Sequence, residues 1–141
     1  MYINLFIINL LVLQCLTTDE QGILLVAQLS CKDNLITPEY TTKAIEFADQ
    51  HKHSVVGLIS QRKLTNNPQI LTLTPGVSLS SAGDSLGQKY ISPQHAINNG
   101  SDIVIVGRGI TESSNRLETC RQYRKAAFDA YQATIASHSS E

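Results

Sequence analysis

The chain has 141 residues, a formal net charge of −1 and 42% hydrophobic residues, which suits one globular domain. Charge so close to zero gives no electrostatic case for nucleic acid or for an acidic membrane surface. The three cysteines, Cys15, Cys31 and Cys120, are odd in number, widely spaced and without a CxxC pair. They argue against a disulfide framework or a structural zinc site and fit reduced thiols in a cytoplasmic protein.

In chain order, residues 1–21 form a first segment, opening with the almost wholly apolar, uncharged MYINLFIINLLVLQCL. A bilayer-spanning helix needs about 20 apolar residues. This run is shorter and is interrupted by Asn4, Asn9 and Gln14. No Lys or Arg precedes it as in a secretory signal, so a membrane role is not expected. An alternative start or a buried or exchanged segment fits better.

Residues 22–29 (GILLVAQL), closed by Ser30, then read as a buried strand, as do residues 54–59 (SVVGLI), closed by Ser60 and Gln61. Thr37-Pro38-Glu39 between them is a helix start: a hydroxyl cap, proline at the first helical position and an acid in the first turn. That helix is expected to reach about His51, with Ala44, Ile45, Phe47 and Ala48 inside. The link 61–69 is too short for another full helix. Residues 70–73 and 103–106 are two further apolar runs, separated by a polar loop and a short helix that starts at Ser92-Pro93 and ends at Gly100. A last helix, capped by Ser114, is expected to reach about Ala136 and to turn Leu117, Cys120, Tyr123, Ala127 and Tyr131 inward. Residues 137–141 form a polar tail. Four continuous Val/Ile/Leu-rich strands alternating with helices predict an α/β fold with a buried parallel sheet.

Each strand ends in polar or glycine-bearing residues, and in a (β/α)8 barrel ligands sit at those ends, a phosphate often after the last two strands. The fourth run ends in Gly107-Arg108-Gly109. Glycine admits close backbone approach, backbone N–H groups at a strand-to-helix turn cradle anions, and a guanidinium fork matches phosphate oxygens. The third run ends in Thr74-Pro75-Gly76 and leads into a loop with Gly83, Asp84, Gly87, Gln88 and Tyr90, whose amide and phenol are neutral donors for a phosphate or a base edge. Plainer readings stand beside these: a tight turn with a solvated Arg108, a rigid Pro-Gly turn, a surface loop, and a Ser30 that merely stops its strand. His51, His53, His95 and His138 follow no pattern, Asp102 reads as a turn residue, and no Walker or dinucleotide fingerprint occurs.

The series LLVAQLSCKDNLIT (24–37), VVGLIS (55–60), LTPGVSLSSAGDSLGQKY (73–90), GSDIVIVGRG (100–109) and YRKAAFDAY (123–131) closely resembles the orotidine 5′-phosphate decarboxylase family, the decarboxylase half of UMP synthases. The resemblance spans residues 22–131 and implies a (β/α)8 TIM barrel, here a partial barrel of about four parallel strands, with residues 22–136 as its C-terminal half. It implies roles too: Ser30 hydrogen-bonds the pyrimidine, Pro75 lines the base pocket, and Gln88 bridges base and phosphate. Tyr90 holds the phosphate through its hydroxyl, and Gly107 and Arg108 complete the phosphate grip. The implied reaction converts orotidine 5′-phosphate to UMP and CO2 without metal or organic cofactor, in a homodimer.

The sequence departs from the family in two ways. The family's D-x-K-x-x-D acid-base motif is absent from these 141 residues, so no catalytic residue is assigned in the chain. Gln28 stands where the family has glutamate. The expectation is a decarboxylase fragment that grips nucleotide, has little activity alone, and self-associates or needs the other half-barrel. A non-catalytic remnant that binds nucleotide monophosphate or a partner remains an alternative. A pentulose-phosphate epimerase-like barrel is a third, against which the GQ-x-Y loop argues.

Overall fold

The computed structural model describes residues 22–31, 33–80 and 89–138. The chain runs β1 (Ile23–Val26), α1 (Pro38–Gln50), β2 (Val55–Ile59), β3 (Leu71–Thr74), α2 (Pro93–Asn98), β4 (Ile103–Val104), α3 (Arg108–Thr111) and α4 (Arg116–His138). The strands form one parallel sheet in the order β1-β2-β3-β4. This is the expected α/β alternation, with three of the four strands shorter than the apolar runs that announced them and β3 shifted by one residue. The apolar segment 1–21 lies outside the described residues.

Both hydroxyl-proline starts work as their chemistry predicts. Thr37 Oγ1 accepts the Tyr40 N–H at 3.2 Å and Ser92 Oγ accepts the His95 N–H at 3.1 Å, each satisfying a donor that the helix itself leaves over. Backbone and Thr37 hydrogen bonding hold the Glu39 carboxyl below its ordinary value. Helix α2 closes on Gly100, whose φ of +84° is left-handed. A β-carbon there would lie 2.8 Å from Lys63 Cβ. Gly100→Ala is therefore expected to lower stability by about 1 kcal/mol or more, read as a reduced urea midpoint with an unchanged slope.

The link between β2 and β3 is held without a helix. Ser60 Oγ donates to Arg62 O at 2.7 Å and Lys63 N to Asn99 O at 2.9 Å. Asn67 Nδ2 reaches Asp49 on α1 at 3.1 Å, and Leu64 packs against the core of Leu25, Ala27, Ala44, Ala48, Val55, Leu58 and Ile70. One apolar side chain and a few side-chain bonds thus replace a helix on that flank.

Register assigns the two faces of the sheet. Leu25, Leu58 and Thr72 stand in register on the helix-covered face and are buried; Thr74 and Val104 continue it. The opposite face carries Leu24, Gly57, Leu71, Leu73 and Ile103. There Leu24, Leu71 and Ile103 are 41%, 40% and 44% exposed. Among the described residues, an apolar sheet face left partly exposed, with β1 and β4 at the sheet edges, fits the inner wall of an unclosed barrel.

Three expectations need correction. Helix α4 is capped by Asn115, whose Oδ1 accepts the Glu118 N–H at 3.2 Å, and Ser114 is not the cap. Its inward face is built from Tyr123 and Ala130, each 5% exposed, with Ala126 and Ala127 partly buried. Leu117, Cys120 and Tyr131 are exposed; Cys120 and Tyr131 border, with Ile103, Val104 and Phe128, an open groove of about 740 Å³. The Gly-Arg-Gly turn, finally, passes directly into α3, a single turn of helix that nothing in the residue pattern announced.

Thr74 at the end of β3 is wholly buried and its hydroxyl has no hydrogen-bond partner among the described residues. An unsatisfied buried hydroxyl costs about 1–3 kcal/mol, so Thr74→Val is expected to raise stability by about 1 kcal/mol after repacking, read as a higher urea midpoint with an unchanged slope.

Candidate nucleotide site at the strand ends

The C-terminal ends of the four strands are tied together by hydrogen bonds between residues far apart in sequence. At the first end, Ala27 and Gln28 N–H groups both donate to Ile59 O, at 2.9 and 3.0 Å. Gln28 Oε1 accepts the Gln61 N–H at 3.1 Å, and Gln61 Nε2 donates to Pro75 O at 3.3 Å. One pair of amide side chains therefore spans the ends of β1, β2 and β3. A glutamate at 28 would accept the same N–H, so the amide keeps the bridge while removing a negative charge.

At the third end, Pro75 fixes φ and Gly76 follows at φ +74°, the pairing a tight Pro-Gly turn requires. The turn points Gly76 O at the Ile91 N–H, 3.0 Å away, and Ser78 N returns the bond to Ile91 O at 2.9 Å. Val77 and Ile91 thereby form a parallel bridge. Lys89 N donates to Ser30 O at 2.9 Å. The segment 89–91, reached from β3, is thus stitched to the end of β1 on one side and to the Pro-Gly turn on the other. Tyr90, partly buried, is held between those stitches.

At the fourth end, Ile105 N donates to Thr74 O at 2.8 Å, carrying Gly107 and Arg108 up beside the β3 turn. The two glycines differ in what they serve. Among the described residues, nothing lies within 4 Å of a β-carbon built on Gly107, whereas one built on Gly109 would overlap the Tyr123 hydroxyl. The described residues leave room for a ligand beside Gly107 and fill the space beside Gly109. Arg108 is partly buried.

The structure thus brings Ser30 (8% exposed), Pro75, Tyr90, Gly107 and Arg108 to one end of the sheet. Gln88 lies outside the described residues, as do Gly83, Asp84 and Gly87. The sequence did not point to the Gln28–Gln61–Pro75 bridge or to Tyr123 behind Gly109. Gln61 was legible only as the residue closing a strand, and Tyr123 only as an inward helix position. Among the described residues, no three of His, Cys, Asp and Glu gather as a metal-holding group. No helix there is long and apolar enough to cross a membrane.

The sequence profile described as orotidine 5′-phosphate decarboxylase / HUMPS family matches residues 7–123. The chain belongs to this family. Bovine uridine 5′-monophosphate synthase is 49% identical over 118 residues, covering 83% of this chain and 25% of that protein. The orotidine 5′-phosphate decarboxylase of Yarrowia lipolytica is 42% identical over 114 residues, covering 79% and 40%. The fold matches the crystal structure of orotidine 5′-monophosphate decarboxylase from Sulfolobus solfataricus with a TM-score of 0.58 at 20% identity, over 78% of this chain and 50% of that one. The chain thus spans between a quarter and half the length of the relatives it matches, and its four-stranded sheet corresponds to part of their barrel.

Proposed function

We propose that this chain forms the nucleotide-gripping half of an orotidine 5′-phosphate decarboxylase site, in the conversion of orotidine 5′-phosphate to UMP and CO2. The observation that carries the reading is the 2.9 Å bond from Lys89 N to Ser30 O. It holds Tyr90, assigned to the phosphate, against the strand end that carries Ser30, assigned to the pyrimidine, which supports a single site for both groups. In this reading Ser30 and Pro75 meet the pyrimidine, and Gln88 bridges to the phosphate. Tyr90, Gly107 and Arg108 then hold the phosphate at the far end.

Loss of CO2 leaves an electron pair on C6 that must be protonated. The reading assigns that proton to a lysine of the family's D-x-K-x-x-D array, which is not among these 141 residues. The apolar face exposed among the described residues and the edge positions of β1 and β4 suit docking of a second half-barrel that carries the array. Contacts to the remote phosphate then act on the transition state only once the barrel is closed. The assembled protein is expected to be a homodimer and, with Cys31 and Cys120 both unpaired, to work in the cytoplasm.

Calorimetry with UMP and with uridine tests the grip. Saturable UMP binding, with uridine far weaker, is the expected result. Equal affinity for the two, or none for UMP, would remove the phosphate site from the proposal.

A further inference from the structure

Beyond the β4 pairing at Thr74 and Ile105, the loop after β3 and the turn after β4 must still keep a fixed spacing if their donors are to meet on one anion. One side chain touches both. Tyr123, on α4, is 5% exposed and packs with Val77 and Ala96 against Ile91, Val104, Val106 and Ile110. Its hydroxyl accepts the Leu79 N–H at 3.2 Å. A β-carbon built on Gly109 would clash with the same oxygen. A phenol combines a rigid apolar body with one polar tip, so it can be fixed by packing while its oxygen serves two loops.

We infer that Tyr123 is a positioning residue for phosphate recognition, setting the distance between the loop after β3 and the Gly107-Arg108 turn; this rests on the phosphate site proposed above. The path to Tyr90 is short. Leu79 is held by Tyr123, Ser78 next to it bonds Ile91 O, and Ile91 adjoins Tyr90. The path to Arg108 is shorter still, because Gly109 is its chain neighbour and rests directly on the phenol oxygen. Gly109 is glycine, in this account, to admit Tyr123, while the phosphate approaches at Gly107.

The test uses the full chain with Tyr123→Phe and, independently, Gly109→Ala, which pushes the phenol away from the other side. Three quantities are measured: hydrogen exchange at the Leu79 amide, UMP affinity by calorimetry, and uridine affinity by NMR titration to millimolar concentration. Expected for Tyr123→Phe are faster Leu79 exchange, on the order of tenfold, and UMP affinity lower by about tenfold with uridine affinity unchanged. Gly109→Ala should show the same loss for UMP alone. A merely structural tyrosine would weaken both ligands together, and that outcome, or unchanged UMP affinity with accelerated Leu79 exchange, overturns the inference. If the wild-type chain binds neither ligand, the phosphate site itself fails and the inference falls with it. Leu79 exchange would still report whether the brace exists.

Discussion

Arg108→Ala is expected to weaken UMP binding by about ten- to hundredfold, the loss of charge-assisted hydrogen bonds worth about 1.5–3 kcal/mol. Uridine affinity should hardly move, because the guanidinium is assigned to the phosphate end alone. Arg108→Lys keeps the charge but not the two-pronged geometry and should recover only part of the loss. Wild-type affinity should fall as salt is raised, and the alanine variant should show a shallower salt dependence. Calorimetry at two ionic strengths reads all of this. Equal losses for nucleotide and nucleoside in the alanine variant would place Arg108 in support of the fold and away from the phosphate.

A larger effect is expected in turnover. Alone, the 141-residue chain should give no measurable decarboxylation of orotidine 5′-phosphate, since positioned proton transfer contributes about 10²–10⁴ in rate and the lysine assigned to it is absent. Refolded together with the N-terminal half-barrel of a relative carrying D-x-K-x-x-D, it should gain activity. Replacing that half-barrel's lysine by alanine should remove the gain. The mixture should also cover Leu24, Leu71 and Ile103, visible as reduced binding of a hydrophobic dye. Activity of the single chain at the level of the mixture would mean that the proton comes from one of its own residues.

The parts of the fold that were legible in the sequence are those fixed by local chemistry. Thr37-Pro38 and Ser92-Pro93 start helices because a hydroxyl and a proline satisfy a helix terminus wherever they occur. Gly100 ends α2 because its backbone is left-handed. What could not be read depends on pairing at a distance. Gln28 and Gln61 are 33 residues apart and meet only because β1 and β2 lie in register up to Val26 and Ile59. That register contains an irregularity between Ile23 and Leu24 that leaves Val56 as an extra residue, and no alternation of polarity marks it. Helix spacing correctly put Tyr123 inside but also put Cys120 and Tyr131 there; α4 packs chiefly against the short helix α2, which leaves part of that stripe exposed. Of the site residues, Pro75, Gly107 and Arg108 followed from where strands end, and the roles at Ser30 and Tyr90 rested on the resemblance. The Lys89–Ser30 bond that joins the two ends of the site is a backbone contact, to which side-chain identity gives no clue.

The burial of Tyr123 also makes the protein its own optical probe. The chain has five tyrosines and no tryptophan, so its near-ultraviolet emission comes from phenols alone. Tyr40 and Tyr131 are solvent-exposed, Tyr90 stands at the proposed nucleotide end, and Tyr123 is linked to its segment through Leu79 and Ser78. Intrinsic tyrosine emission should therefore respond to UMP without any label, and the contributions of Tyr90 and Tyr123 can be separated by replacing each with phenylalanine in turn.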